Sequence, residues 1–345
     1  MKIVGCDLHT RYQQIAMLDQ ETGELIERRL EHESGEARAF YAALSSPVRV
    51  GIEATGHTRW FERMLAELGH ELWIGDAAEI RASMVRKQKT DARDAAHLLE
   101  LLLTERFPRI WRPTLEERDL RQLVWHRQKL VWMRNAVGNQ LHALAMGEGV
   151  CRKKKLFTKK GRAELESLAL GPWASHRRQE LLKMLDQLDQ SLHQLDQAVE
   201  QQAEQNAEAA RLMTHPGVGP VTSLAFVLSI GPVARFERSK QVVSYLGLNP
   251  REHSSGGRQR LGAISKQGNP MMRSLLVEAG HTAARLDAEL RQDYQRLKQR
   301  RGSGVAKVAM ARKLAVRMYW MLRSQAGYAQ LVRMQGSPWA TLVKK

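Results

Sequence analysis

Four acidic residues stand at places where an acid needs a reason. Asp7 lies near the end of the first strand-like run, Glu53 closes the run "VRVGIE", and Asp91 and Asp94 open a helical stretch in "KTDARDAAHL". A spacing of three sets Asp91 and Asp94 on one helical face. The helix dipole by itself favours acids in a first turn, so that pair also has a purely structural explanation. Asp7 and Glu53 lack one, because a carboxylate inside an apolar strand is costly to bury unless it is paired or bound to metal. Four converging carboxylates would hold two Mg²⁺ ions, hard cations that take oxygen ligands, and would suit phosphodiester chemistry by activating a nucleophile and steadying the leaving oxygen. His9 and His57 closely follow the two strand acids and are expected as hydrogen-bonding neighbours, since Mg²⁺ prefers oxygen.

A second set of reactive types lies in "NPREHSSGGRQRLG", residues 249–262, where Ser254 and Ser255 precede two glycines among Arg251, His253, Arg258 and Arg260. A serine hydroxyl must lose its proton to attack a phosphate. The arginines suit the charge of a phosphorane but cannot accept that proton. Read alone, such a stretch is equally a polar connector. Upstream, "THPGVGPVTSLAFVLSIG" leads through Gly217 and Gly219 into an apolar helix, as in a helix-hairpin-helix element whose glycines let backbone amides approach a phosphate. Many ordinary helices begin the same way. The run "RKKKLFTKKGR" adds Arg152, Lys153, Lys154, Lys155, Lys159 and Lys160, with Phe157 as its one aromatic. It reads as a solvated tether or, in so basic a protein, as a nucleic-acid contact.

The elements that must position these residues change character near residue 105. Before it, "KIVGCDLH", "QQIAMLD", "ELIERRLE", "VRVGIEA" and "ELWIGD" read as strands, the first three as an antiparallel meander. Helical periodicity follows in "GEARAFYAAL", "TRWFERMLAELG" and "ARDAAHLLELLL". This is the order expected of an α/β ribonuclease-H-like fold, and it also suits other α/β domains. Beyond "FPRIWRPT" the chain is almost entirely helical. Leu181, Leu185, Leu188, Leu192, Leu195 and Val199 form a heptad seam. Leu120, Leu123, Leu130, Val137, Leu141 and Leu144 share one heptad phase, interrupted by Arg127 and Arg134. The two seams either close into an intramolecular hairpin or join protomers as a coiled coil, since periodicity does not identify the partner helix.

The 345 residues carry a net charge of +17, and the isoelectric point is near 10.2. That balance favours a polyanionic partner without separating DNA, RNA and an acidic membrane. The longest apolar runs are too short for a membrane span. No signal peptide is visible, and Cys6 and Cys151 make neither a disulfide framework nor a CxxC metal pair. A reduced, cytoplasmic, nucleic-acid-facing protein is expected.

The set "GCDLH", "GIEATG", "KTDARDA", "HPGVGP", "LGLNPREHSSGG" and "ISKQGNPMMRSLL" resembles, in order and over nearly the whole chain, the transposases of the one-ten and eleven-eleven groups of bacterial insertion sequences. These are recombinases guided by a bridge or seeker RNA encoded in the element itself. The resemblance implies a RuvC-like domain over 1–106, a helical coiled-coil domain with a basic insertion over 107–208, and a mainly helical transposase domain over 209–345. It maps the DEDD carboxylates onto Asp7, Glu53, Asp91 and Asp94 and the nucleophile onto Ser255 rather than Ser254. It further implies a composite Mg²⁺-dependent site, a covalent phosphoserine link to a DNA end, and strand exchange through a four-way junction. The partners it implies are donor and target DNA, a structured noncoding guide RNA and further copies of the chain, as a dimer of dimers. A junction-resolving or ribonuclease-H-like nuclease needs the four acids but no serine. A non-enzymatic RNA-binding scaffold needs neither.

Overall fold

Strand β1 (Lys2–Leu8) is apolar on both faces because it lies at the centre of a sheet, and a strand covered on both sides has no solvent face to make polar. The computed structural model describes residues 1–44, 47–84, 90–152, 155–254, 258 and 260–334. Strands β2 (Tyr12–Asp19) and β3 (Leu25–Glu31) continue from β1 as the expected antiparallel meander. Helix α1 (Glu36–Ala42) leads to β4 (Val48–Glu53), which pairs parallel with β1, and α2 (Arg59–Glu67) leads to β5 (Glu71–Gly75), parallel with β4. The sheet order is β3-β2-β1-β4-β5. Helices α3 (Ala77–Ser83) and α4 (Asp91–Leu103) follow.

Alternation along β1 and β4 sorts the side chains into two layers. Val4, Cys6, Val50 and Ile52 pack with Tyr41, Phe61 and Leu65 of α1 and α2. Ile3 packs on the other face with Ala95, Leu98, Leu99 and Leu102 of α4. Gly5 lies under α4, where an added Cβ would sit 2.3 Å from the Ala95 carbonyl oxygen and 2.4 Å from the Leu99 nitrogen. Only glycine allows that approach, which sets α4 directly on β1.

Contacts divide the chain into Met1–Arg112 and Pro113–Lys345. The first unit therefore runs past the expected boundary at 106. Phe107 is buried against the sheet, Ile110 donates its N–H to the Ile74 carbonyl at 2.9 Å, and Asp76 does so to Pro108 at 2.9 Å. The boundary expected at 208 falls inside the second unit.

That unit begins with two long helices, α5 (Leu115–Gly147) and α7 (Pro172–Gln205), with the short α6 (Lys159–Glu166) between them. Thr114 and Glu117 close a capping box on α5, which fixes its start after "WRP". The two long helices run antiparallel: Leu181, Leu182 and Leu185 pack with Val137, Leu141 and Ala145, while Val199 and Ala203 share a core with Val124. The α7 seam therefore faces α5 of its own chain. Arg127 and Arg134, which interrupt the α5 seam, reach Asp196 (2.7 Å) and Asp189 across the pair.

Helices α8 (Ala207–Met213) and α9 (Pro220–Ile230) follow, α9 buried almost throughout as its uniformly apolar sequence requires. A 3₁₀ turn (Val233–Arg235) and α10 (Ser239–Tyr245) lead into a two-stranded antiparallel hairpin, β6 (Pro250–Glu252) and β7 (Leu261–Ile264). Helices α11 (Pro270–Leu286), α12 (Ala288–Arg301), α13 (Ser303–Arg323) and α14 (Tyr328–Met334) complete the unit. No described helix is long and apolar enough to cross a membrane.

Candidate functional site

The register that pairs Cys6 with Ile52 brings Asp7 and Glu53 to the same end of two adjacent parallel strands. Alternation turns both toward the face that α4 covers, since Cys6 and Ile52 pack on the opposite one. Ala95 lies at Gly5, so the N-terminal turn of α4, with Asp91 and Asp94, lies at the strand ends beside Asp7. Thr90 caps this helix by accepting the Arg93 N–H at 3.4 Å. All four acids are half-buried.

Asp7, His9 and Asp91 form the tightest group, their ligand atoms all within 4.8 Å of one another. His9 Nε2 lies 3.2 Å from Asp7 Oδ2 and 3.5 Å from Asp91 Oδ2. His9 is thus the hydrogen-bonding neighbour expected of it. Glu53 and Asp94 lie on the same face but outside that tight group. Burial lifts the Asp7 carboxyl above the usual carboxylate range; His9 opposes the rise, and Asp94 and then Asp91 add to it. A carboxylate so placed needs compensating positive charge, and its oxygen-rich surroundings are the donors that Mg²⁺ takes. His57 is exposed, and its ring makes no hydrogen bond among the described residues.

Nothing in the spacing of residues along the chain marked the group that holds Asp91. Tyr12 donates its phenol proton to Asp91 Oδ2 at 2.8 Å across 79 positions of chain, its ring lies 4.6 Å from that of His9, and Arg29 stacks over it at 3.7 Å. The hydrogen bond to Asp91 raises the Tyr12 pKa, keeping the phenol a donor. Only the β1–β2 register, which returns Tyr12 to the strand end beside His9, makes this contact.

In the second unit, the described residues that flank Ser255 belong to the β6–β7 hairpin, where a polar connector was the alternative expectation. Ser255 lies outside the described residues. Ser254 is described: its hydroxyl donates to Glu252 Oε1 at 2.6 Å and accepts the Arg260 N–H at 3.2 Å. Arg251, Arg258 and Arg260 are exposed. The hairpin root is fixed by Arg273, whose Nη1 donates to the carbonyls of Gln267 (2.7 Å) and Gly268 (3.1 Å), and by Asn269, which caps α11.

The other expected nucleic-acid contacts fall into different surroundings. Gly217 has a positive φ of 87°, and a Cβ there would sit 2.5 Å from the Ala283 nitrogen, so close packing on α11 already requires glycine. Gly219 is exposed at the start of α9. In the basic run, Lys153 and Lys154 lie outside the described residues. Arg152 makes a two-pronged pair with Glu164 (2.8 and 3.0 Å), and Lys155, Lys159 and Lys160 are exposed. Leu156 is buried, and Phe157 packs on His142 at 5.1 Å. The run is therefore anchored in the α5–α7 core, and its aromatic is used for that anchorage.

Two family models match the chain. One, described as "Transposase IS116/IS110/IS902 family", matches residues 209–295. The other, a DEDD-type model described as "Transposase", matches residues 4–147. A "Probable family 20 transposase" of Pseudomonas aeruginosa is 29% identical over 93% of this chain and 96% of its own length. The "Transposase for insertion sequence element IS1111A" of Coxiella burnetii is 28% identical over 95% and 91%. A "Pilin gene-inverting protein" of Moraxella bovis is 27% identical over 67% and 66%.

Proposed function

We propose, from the two family-model matches and the transposase relatives, that the chain is an insertion-sequence transposase of the IS116/IS110/IS902 family, which cuts and rejoins DNA, and that it acts as an RNA-guided, serine-dependent recombinase. The observation that carries this reading is the gathering of four half-buried carboxylates at one end of β1, β4 and α4 in a chain of net charge +17. The sheet order, a meander followed by two parallel strands, supports a RuvC-like assignment for the first unit.

In this proposal Asp7, Glu53, Asp91 and Asp94 hold two Mg²⁺ ions. Mg²⁺ bound there supplies positive charge to the oxygens of the phosphodiester under attack. Ser255 attacks the phosphorus as the bond to the DNA 3′-oxygen breaks, its proton passes in net to that departing oxygen to give a 3′-hydroxyl, and a phosphoserine link preserves the bond energy. The free 3′-hydroxyl of the partner strand then attacks that link and releases the serine, so DNA is rejoined without hydrolysis. Arg251, Arg258 and Arg260 steady the added negative charge of each phosphorane. Ser254, held by Glu252 and the Arg260 amide, shapes the loop rather than attacking.

The basic surfaces bind a structured noncoding RNA and two DNA duplexes, the RNA choosing both by base pairing. Lys155, Lys159 and Lys160 contribute, together with Lys153 and Lys154; Arg152 adds its charge while paired with Glu164. Two duplexes and four strand ends call for a dimer of dimers. The α7 seam is already used against α5, so protomers must join through other surfaces.

The test is reconstitution with the noncoding RNA transcribed beside the gene, a donor duplex, a target duplex and Mg²⁺. The expected result is a recombinant joint that requires all four, with a denaturation-resistant protein–DNA adduct mapped to Ser255 by mass spectrometry. Cleavage without an adduct would replace this reading with the nuclease one. RNA binding with no metal-dependent DNA chemistry would leave only a scaffold.

A further inference from the structure

We infer that Tyr12 is a positioning residue of the carboxylate site, holding Asp91 in the rotamer that receives a divalent metal ion. The inference rests on the metal reading proposed above and adds a residue to it. Asp91 begins α4 with its side chain 43% exposed, and a carboxylate there is free to turn into solvent unless something holds it. Tyr12 supplies that hold through its 2.8 Å hydrogen bond to Oδ2. The bond occupies one oxygen from the protein side and leaves the other for a ligand.

The phenol is itself held. The Arg29 guanidinium stacks on its ring at 3.7 Å, and Arg29 Nε donates to Glu31 Oε1 at 2.9 Å, tying the stack to β3. His9 closes the other contact, ring to ring at 4.6 Å, while its Nε2 reaches both Asp7 and Asp91. Tyr12 belongs to none of the apolar clusters among the described residues. Its aromatic mass is therefore not needed to fill a core, and among the described residues its hydroxyl has a single partner, the acid. Groups that orient a metal ligand without touching the metal typically change metal affinity about ten- to a hundredfold when removed.

The experiment compares full-length wild type, Tyr12→Phe, Tyr12→Leu and Asp91→Asn by electron paramagnetic resonance titration with Mn²⁺ alone, alongside melting temperatures. Tyr12→Phe keeps the ring and the Arg29 stack, and should melt with the wild type while binding Mn²⁺ about ten- to a hundredfold more weakly. Tyr12→Leu should bind no more weakly than Tyr12→Phe, and DNA cleavage by Tyr12→Phe should recover at raised Mn²⁺. A purely packing role predicts the reverse, with Tyr12→Phe equal to wild type and only Tyr12→Leu impaired, and that result would overturn the inference. Undiminished Mn²⁺ binding by Asp91→Asn would instead refute the metal reading itself.

Discussion

Replacing Gly5 with alanine tests the geometry of the carboxylate site without touching any carboxylate. The new Cβ would meet the Ala95 carbonyl oxygen at 2.3 Å and the Leu99 nitrogen at 2.4 Å, both backbone atoms of α4 that no side-chain rotation can withdraw. Ordinary contact for such pairs is about 3.4 Å, so α4 must move away from β1 by about 1 Å, or β1 must buckle by as much. Overpacking of this kind costs about 1–3 kcal/mol. In a unit of this size each kcal/mol lowers the melting temperature by about 4 °C. The same displacement carries Asp91 and Asp94 away from Asp7 and Glu53, and a misplacement of about 1 Å at a reacting centre costs about a hundredfold in rate. Strand cleavage on labelled DNA, measured well below the melting temperature, should therefore fall far more than the folded fraction does. Gly304→Ala is the control, since a Cβ there meets nothing within 4 Å. Wild-type cleavage by a folded Gly5→Ala protein would refute the claim that α4 seated on β1 sets the spacing of the acids.

Asp7→Asn and Asp94→Asn should each abolish DNA cleavage while RNA binding, measured by gel shift, persists; cleavage in excess EDTA would contradict the metal role. Ser255→Ala should lose the covalent adduct and keep DNA binding, whereas Ser254→Ala, which removes only the bonds to Glu252 and the Arg260 amide, should retain an adduct at reduced yield. Leu185→Ala, at a buried position of the α5–α7 pair, should destabilise the second unit by about 2–5 kcal/mol in denaturant unfolding, without changing oligomer size in light scattering of the folded protein. His215, buried beside Arg317 with its Nδ1 on the Pro216 carbonyl, has its pKa lowered to about 4, chiefly by burial. Because the folded state disfavours its protonation, the stability it contributes is complete above pH 6.5 and lost as pH falls toward 4, by about 3 kcal/mol at most. His215→Gln should flatten that part of the stability–pH curve, and an unchanged slope would show that another group titrates there.

The strands of the first unit were legible because period-two alternation and apolar content are local properties, and the sheet uses both. Asp7 and Glu53 stood out for a related reason: each breaks or bounds an otherwise apolar strand, so its cost is visible without knowing its neighbours, whereas Asp91 and Asp94 were marked by a spacing of three at a helix start that the helix dipole also favours. The α7 seam was legible as a seam, but its partner was not, because a heptad states that a helix needs a mate and nothing about which. Antiparallel pairing within one chain gave the answer, and with it the use of Arg127 and Arg134, which look like defects in the linear pattern. The β6–β7 hairpin escaped notice because its strands are three and four residues long and largely exposed, so no apolar face marks them.

What the sequence alone determined is the inventory: strongly basic charge, five strands interleaved with helices and then a largely helical remainder, two acids in apolar strands with two more at a helix start, and a serine pair among arginines and glycines. What only the tertiary structure decided is proximity. Tyr12 and Asp91 are 79 positions apart, and their hydrogen bond exists because β2 returns along β1 while α4 presses onto Gly5. Phe157, the one aromatic of the basic run, is committed to His142 and the α5–α7 core. Contacts of this kind depend on register and close approach, which are set by the packing of whole elements and leave no mark on the spacing of residues along the chain.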